Sequence, residues 1–168
     1  MEQRIKEIIA ECKRQHESCR YTTAALYSWQ KSVRVYRVIF VIAPIVFGTV
    51  ASAKILLKQP DFDWITAIAA MLAGLFPAIF KSLNLDESIK SMADSAHRFE
   101  SLRDRFRQAS LIGSAGPSEQ LEKDFTQLMT RLDEARAACP AIPDCHFKIA
   151  QKKIDSGHYR FDIDSKDS

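Results

Sequence analysis

The sequence predicts an all-α protein in which a two-span transmembrane helical hairpin is continuous with a cytoplasmic helical bundle. Three observations carry this expectation. Of 24 basic and 21 acidic residues in the 168-residue chain, only Lys54, Lys58, Asp61 and Asp63 lie between positions 38 and 80. On both sides of that apolar block, small and apolar side chains recur in steps of three and four, the period of one helix face. Glycine and proline number only 5 and 6, leaving little chain for loops or linkers. Residues 1–168 therefore read as a single domain.

The first element, residues 1–37, is an amphipathic helix with its stripe at Ile5, Ile9, Cys12, His16, Cys19, Thr23 and Leu26. Residues 38–57 form the first span: VIFVIAPIVFGTVASA is free of charge, and Ile55, Leu56 and Leu57 resume the run beyond Lys54. That is about 20 residues, the length needed to cross a hydrocarbon core. Lys54, near the end, can extend its ammonium to the interface. A short turn, residues 58–63, leads to the second span, residues 64–85, which opens on the interfacial residue Trp64. A cytoplasmic helix over residues 86–112 follows, its stripe starting from Leu85 and continuing at Ile89, Met92, Ala96, Phe99, Leu102 and Phe106. Gly113, Ser114, Ala115 and Gly116 interrupt the chain, and Pro117 is suited to open the next helix, residues 118–139. Its stripe is Leu121, Phe125, Leu128, Leu132, Ala135 and Cys139. Pro140 and Pro143 end it. A short helix over residues 143–156, with Phe147, Ile149, Ala150 and Ile154 as its less polar members, precedes a tail at residues 157–168.

The flanking charges orient the spans. Residues 1–37 hold 8 basic and 4 acidic residues, and Lys31, Arg34, Arg37, Lys81 and Lys90 bracket the block, favouring cytoplasmic termini. The alternative, two buried helices of a soluble bundle, fits poorly because neither run has a polar face. A secretory signal fits poorly too, since 37 mostly polar residues precede the first run.

Composition excludes several classes. Hydrophobicity is too high for disorder, four cysteines are too few for a secreted disulfide scaffold, and a net charge of +3 is too small for an extended nucleic-acid footprint, so no nucleic-acid partner is expected. Cys12, His16 and Cys19 share one face and could ligate zinc, but no fourth ligand is indicated and the positions belong to the core stripe. All four thiols are expected free. Arg98, Arg103, Arg105 and Arg107, interleaved with Glu100 and Asp104, read first as an ion-paired surface and second as a site for an anionic nucleotide. With no Gly-rich phosphate loop, H-E-x-x-H pair or G-x-S-x-G elbow, neither enzymatic activity nor a cofactor or metal is expected.

The spans carry small faces suited to close helix approach in lipid. Gly48 and Ser52, following Pro44, mark the first, and Ala70 and Gly74, with Ala67 and Ala78, mark the second. Such faces serve either packing within the hairpin or packing between copies; a pore would require the latter. Thr49, Ser52 and Thr66 are the candidate pore-lining residues, being polar within apolar runs. His16, His97, Phe125, Leu128 and Leu132 are the candidate bundle interface.

The leading segment YTTAALYSWQKSVRVYR, the hairpin, and the trailing segment SMADSAHRFESLRDRFRQA together resemble the SLATT domains, two-transmembrane effector modules of bacterial conflict systems. The resemblance runs from about Ala10 to Ile149 and rests on Tyr21, Ala25 and Tyr27 before the first span and on Ala96, His97, Phe99 and Leu102 after the second. It implies an inner-membrane antiphage effector that forms homo-oligomers and permeabilises the bilayer. It also implies a trigger, a nucleotide signal or a separately encoded nucleotide-synthesising or nucleotide-sensing protein, because no residues remain here for a sensor domain. A non-conducting, membrane-anchored scaffold is the alternative.

Overall fold

A computed structural model describes residues 2–56, 63–112 and 117–157. They form five helices: α1 (Glu2–Leu56), α2 (Asp63–Ser82), α3 (Leu85–Ile112), α4 (Ser118–Ala138) and α5 (Asp144–Asp155), with no strand among the described residues. Most of the expected turn at 58–63, the break at 113–116 and all but the first residue of the tail lie outside the described residues.

Helix α1 joins the first amphipathic segment and the first apolar run without interruption, and Pro44 stays inside it. Pro77 likewise stays inside α2. The helix limits of α3, α4 and α5 lie within one residue of expectation, and the larger departure is at the end of the second apolar run. It was expected to reach residue 85, but α2 stops at Ser82 and α3 begins at Leu85. The cause is local. Asn84 adopts φ 44°, in the left-handed region that asparagine tolerates better than other non-glycine residues. The Leu83 amide donates to the Ile79 carbonyl at 3.1 Å, and the Ser88 amide donates to the Asn84 carbonyl at 3.1 Å, so this turn closes one helix and opens the next. Asp86 and Glu87 then sit in the first turn of α3, where carboxylates complement the helix dipole. Gly157, at φ 84°, ends α5 in the same left-handed region, here at no Cβ cost.

The chain divides into two compact units. One comprises α1 up to Gln30, α3 from Ser91, α4 and α5. Its core joins Cys12, Cys19 and Leu26 of α1 to Ala96, Phe99, Leu102 and Phe106 of α3 and to Leu128, Leu132 and Ala135 of α4. A second, smaller seam joins Ala24 and Ala25 of α1 to Ala150 and Ile154 of α5. The sequence stripes thus coincide with the buried faces, except in α5. There His146, Ala150 and Ile154 are buried, while Phe147 and Ile149, expected as less polar members, are exposed. The histidine displaces them because its ring is taken up by Trp29 and Ser28 of α1.

The other unit, residues 31–90, pairs the second part of α1 with α2. The Phe76 ring lies 5.6 Å from that of Phe40 and 5.8 Å from that of Phe47. Arg37 Nε donates to Asp86 Oδ1 at 2.6 Å. Rising numbers on α1 therefore meet falling numbers beyond it, an antiparallel pairing.

Phe106 is fully buried and central to the three-helix core, so Phe106→Ala should cost about 3–5 kcal/mol by leaving a cavity. Denaturant unfolding monitored by circular dichroism checks this, with Phe147→Ala, at an exposed site, expected to cost less than about 1 kcal/mol.

Candidate functional site

Two helical stretches are long and apolar enough to cross a membrane, and only 6% of the most apolar 18-residue window of each is buried. A core helix of a soluble protein would be mostly buried. Val38, Ile39, Val41, Ile42, Ile45 and Val46 of α1 are each at least half exposed, as are Trp64 and Met71 of α2. An apolar exterior this continuous marks an interaction surface rather than a face in water.

Within this unit the buried small residues are Ala51 of α1 and Ala69 of α2, on the helices joined by the contact of Phe76 with Phe40 and Phe47. The sequence-predicted packing residues lie elsewhere. Gly48 is half-buried on the flank of α1, while Ser52, Ala70 and Gly74 are exposed. A Cβ built at Gly48 or Gly74 meets nothing within 4 Å. Neither glycine is therefore needed for helix approach within one chain. Ala51 and Ala69 were legible only in part: they carry the helical spacing of Phe47 and Phe76, but so do many alanines in these runs.

The three pore-lining candidates are not brought onto one face. Thr49 and Ser52 are exposed on α1, and their hydroxyls turn back to donate to the Val46 carbonyl at 2.8 Å and the Gly48 carbonyl at 2.8 Å. Each is thereby satisfied within its own helix, which makes it compatible with an apolar surrounding. Thr66 instead shares a face of α2 with Ala69 and Phe76, and its hydroxyl is buried with no hydrogen-bond partner.

The candidate bundle-interface residues belong to the other unit. Leu128 and Leu132 are buried and Phe125 packs against them. His16 Nδ1 lies 3.0 Å from the Arg103 carbonyl of α3. Tyr27 Oη donates to Glu100 Oε2 at 3.2 Å, and Arg136 Nη2 donates to Gln15 Oε1 at 3.1 Å, tying α1 to α3 and α4. Arg4 of α1 pairs with Glu122 of α4. His97 stands apart, its side chain 70% exposed, 3.7 Å from Glu100 Oε2 and edge-on to the Tyr27 ring. Among the residues that sequence reasoning missed are Gln15 and His146, buried polar groups that each have a partner on another helix, Gln15 also donating to Glu11 on its own at 2.6 Å.

No disulfide links the four cysteines. Burial pushes the Cys12 and Cys19 thiols up to about 11 from the ordinary 9.0, with Glu11 adding to the effect at Cys12 and Arg136 and Arg103 opposing it at Cys19. Burial also raises the Cys139 thiol. Such thiols are poor nucleophiles and poor metal ligands. Among the described residues no cluster of three or more histidine, cysteine, aspartate or glutamate side chains is placed to hold a metal ion.

The fold and these surfaces define an all-helical protein with two apolar helices of membrane-crossing length. No family model, curated protein or solved structure matches the chain.

The thiol shifts set a pH dependence. Both folded thiols titrate above the unfolded value, so their contribution is intact below pH 9.0 and is lost as pH rises toward about 11. Melting temperatures measured across that window should fall, and the Cys12→Ala, Cys19→Ala double variant should show a shallower fall. At pH 8, iodoacetamide followed by mass spectrometry should label exposed Cys145 and spare Cys12 and Cys19.

Proposed function

We propose that the chain is a multi-pass membrane effector whose two apolar helices cross the bilayer as a hairpin with both termini in the cytoplasm, and whose copies assemble into a regulated pore. The observation that carries this reading is the exposed apolar exterior: only 6% of the most apolar 18-residue window of each helix is buried within the chain. Lipid covers such a surface at no desolvation cost, whereas water would drive it to aggregate. Two helices enclose no aqueous path, so conduction requires a ring of copies. The open space beside Gly48 and Gly74 supports contact between copies, because these small positions are unused within one chain.

The basic residues Lys31, Arg34, Lys81 and Lys90 support cytoplasmic termini and attraction to anionic lipid. Resemblance to the SLATT domains supplies the setting, an inner-membrane effector of bacterial antiphage defence triggered by a nucleotide signal or a separately encoded nucleotide-synthesising or nucleotide-sensing partner. Because α1 belongs to both units without a break, a change in helix packing in one has a covalent route to the other. The trigger then needs only to favour one of two arrangements a few kcal/mol apart.

A second reading, a non-conducting membrane-anchored scaffold, is favoured by one observation. Thr49 and Ser52 spend their hydroxyls on their own helix and offer no free polar lining.

Membrane flotation of expressed protein tests insertion, and recovery in the soluble fraction would overturn both readings. Dye influx into expressing cells separates them: entry on triggering is expected for the pore and intact membrane potential for the scaffold. Gly74→Leu should leave helix content and flotation unchanged, since Gly74 is exposed and a Cβ there meets nothing within 4 Å, while abolishing crosslinked oligomers and dye entry. Unchanged permeability in that variant would remove the packing argument.

A further inference from the structure

Two adjoining cavities run along the seam between α3 and α4, within the unit that holds the three-helix core. The larger, about 430 Å³, has an apolar floor of Ala109, Leu121 and Leu128, with exposed Ile112 also lining it. The smaller, about 210 Å³, continues it along both helices. Arg105 of α3 and Arg131 of α4 line both and so stand where the two meet, and Arg98, two turns before Arg105, lines the smaller.

These three arginines differ from their neighbours. Arg103 is paired with Glu100 and Asp104, and Arg136 with Asp133 and Gln15. Arg98, Arg105 and Arg131 have no ion-pair or hydrogen-bond partner among the described residues. Two carboxylates also line the groove. Asp124, in the larger cavity, already accepts from Gln120 Nε2 at 2.8 Å. Glu134, in the smaller, leaves three cations facing one uncommitted anion. The expected ion-paired surface is therefore realised at Arg103 and not along the groove.

The geometry points to a binding site in this groove for an organic phosphate ester, its phosphate held between Arg105 and Arg131 and its apolar body laid over Ala109, Leu121 and Leu128. The two guanidiniums come from opposite walls. A carboxylate presents its two oxygens in one plane with a single charge, whereas a phosphate monoester presents three oxygens arranged tetrahedrally with up to two charges and so can offer an oxygen pair to each wall at once. The apolar floor adds affinity for a ligand with an apolar portion and none for inorganic phosphate. Lipid phosphates and soluble aromatic phosphates share this chemistry. The site uses only residues of α3 and α4 and does not depend on the pore reading.

The test is fluorescence anisotropy of 4-methylumbelliferyl phosphate titrated with the full chain in dodecyl maltoside. Saturable binding is expected, weakened about tenfold or more in the Arg105→Gln, Arg131→Gln double variant, as loss of charge-assisted hydrogen bonds requires. It should be largely retained in the double lysine variant and unchanged in Arg14→Gln, on α1. Circular dichroism of the glutamine variant should match the parent, because both arginines are exposed. Competition by short-chain phosphatidic acid, a lipid phosphate monoester, identifies a lipid phosphate as the natural source, and competition by phenyl phosphate alone identifies a soluble one; both support the site. Absence of saturable binding, equal binding by the glutamine variant, or displacement by benzoate as effective as by phenyl phosphate would overturn it.

Discussion

An α-helix satisfies its own backbone hydrogen bonds whatever surrounds it, and the structure depends on that property in α1. Over Cys12 to Leu26 the helix is a core element, with side chains buried to 1% exposure or less at Cys12, Cys19, Ala25 and Leu26. From Val38 onward the same helix exposes large aliphatic side chains instead. No sheet could make this change, because its hydrogen bonds must be closed by neighbouring strands. A helix changes only its side chains. The remaining helices answer those two halves: α3, α4 and α5 cover the first, and α2 lies along the second.

Much of this was legible because one period governs it. The stripe Met92, Ala96, Phe99, Leu102 and Phe106 reads directly as the buried face of α3, and Leu121, Leu128, Leu132 and Ala135 as that of α4. What stayed hidden has two physical causes. The stop at Ser82 comes from one asparagine taking a left-handed conformation, a choice among backbone states that apolar spacing does not encode. The burial of His146 and Gln15 depends on partners more than a hundred residues away, which no local pattern reveals.

The candidate sites divide along the same line. Residues chosen for volume and period, such as Leu128 and Leu132, fall where spacing puts them. Those chosen because they are small within an apolar run, Gly48, Ser52, Ala70 and Gly74, fall outside the contact of α1 with α2, because any small residue permits approach and the aromatic contacts of Phe76 select which face is used. Thr49 and Ser52 share an exposed face of α1 while the Thr66 hydroxyl is buried on α2, for a related reason. A hydroxyl in a helix can bond to the preceding turn, so its polarity does not dictate its direction.

The seam between α1 and α5 is built from alanines. Ala24, Ala25 and Ala150 are nearly or wholly buried, yet each contributes only a methyl group, and Ile154 is the one large aliphatic side chain in the buried cluster. Alanine contacts bring backbones close but release little ordered water, and α5 is only 12 residues long. The free energy of detaching α5 therefore lies well below that of unfolding the three-helix core, which sets a two-tier order of stability within one unit. Amide protons of α5 therefore exchange through that lower tier while those of α3 wait for global opening.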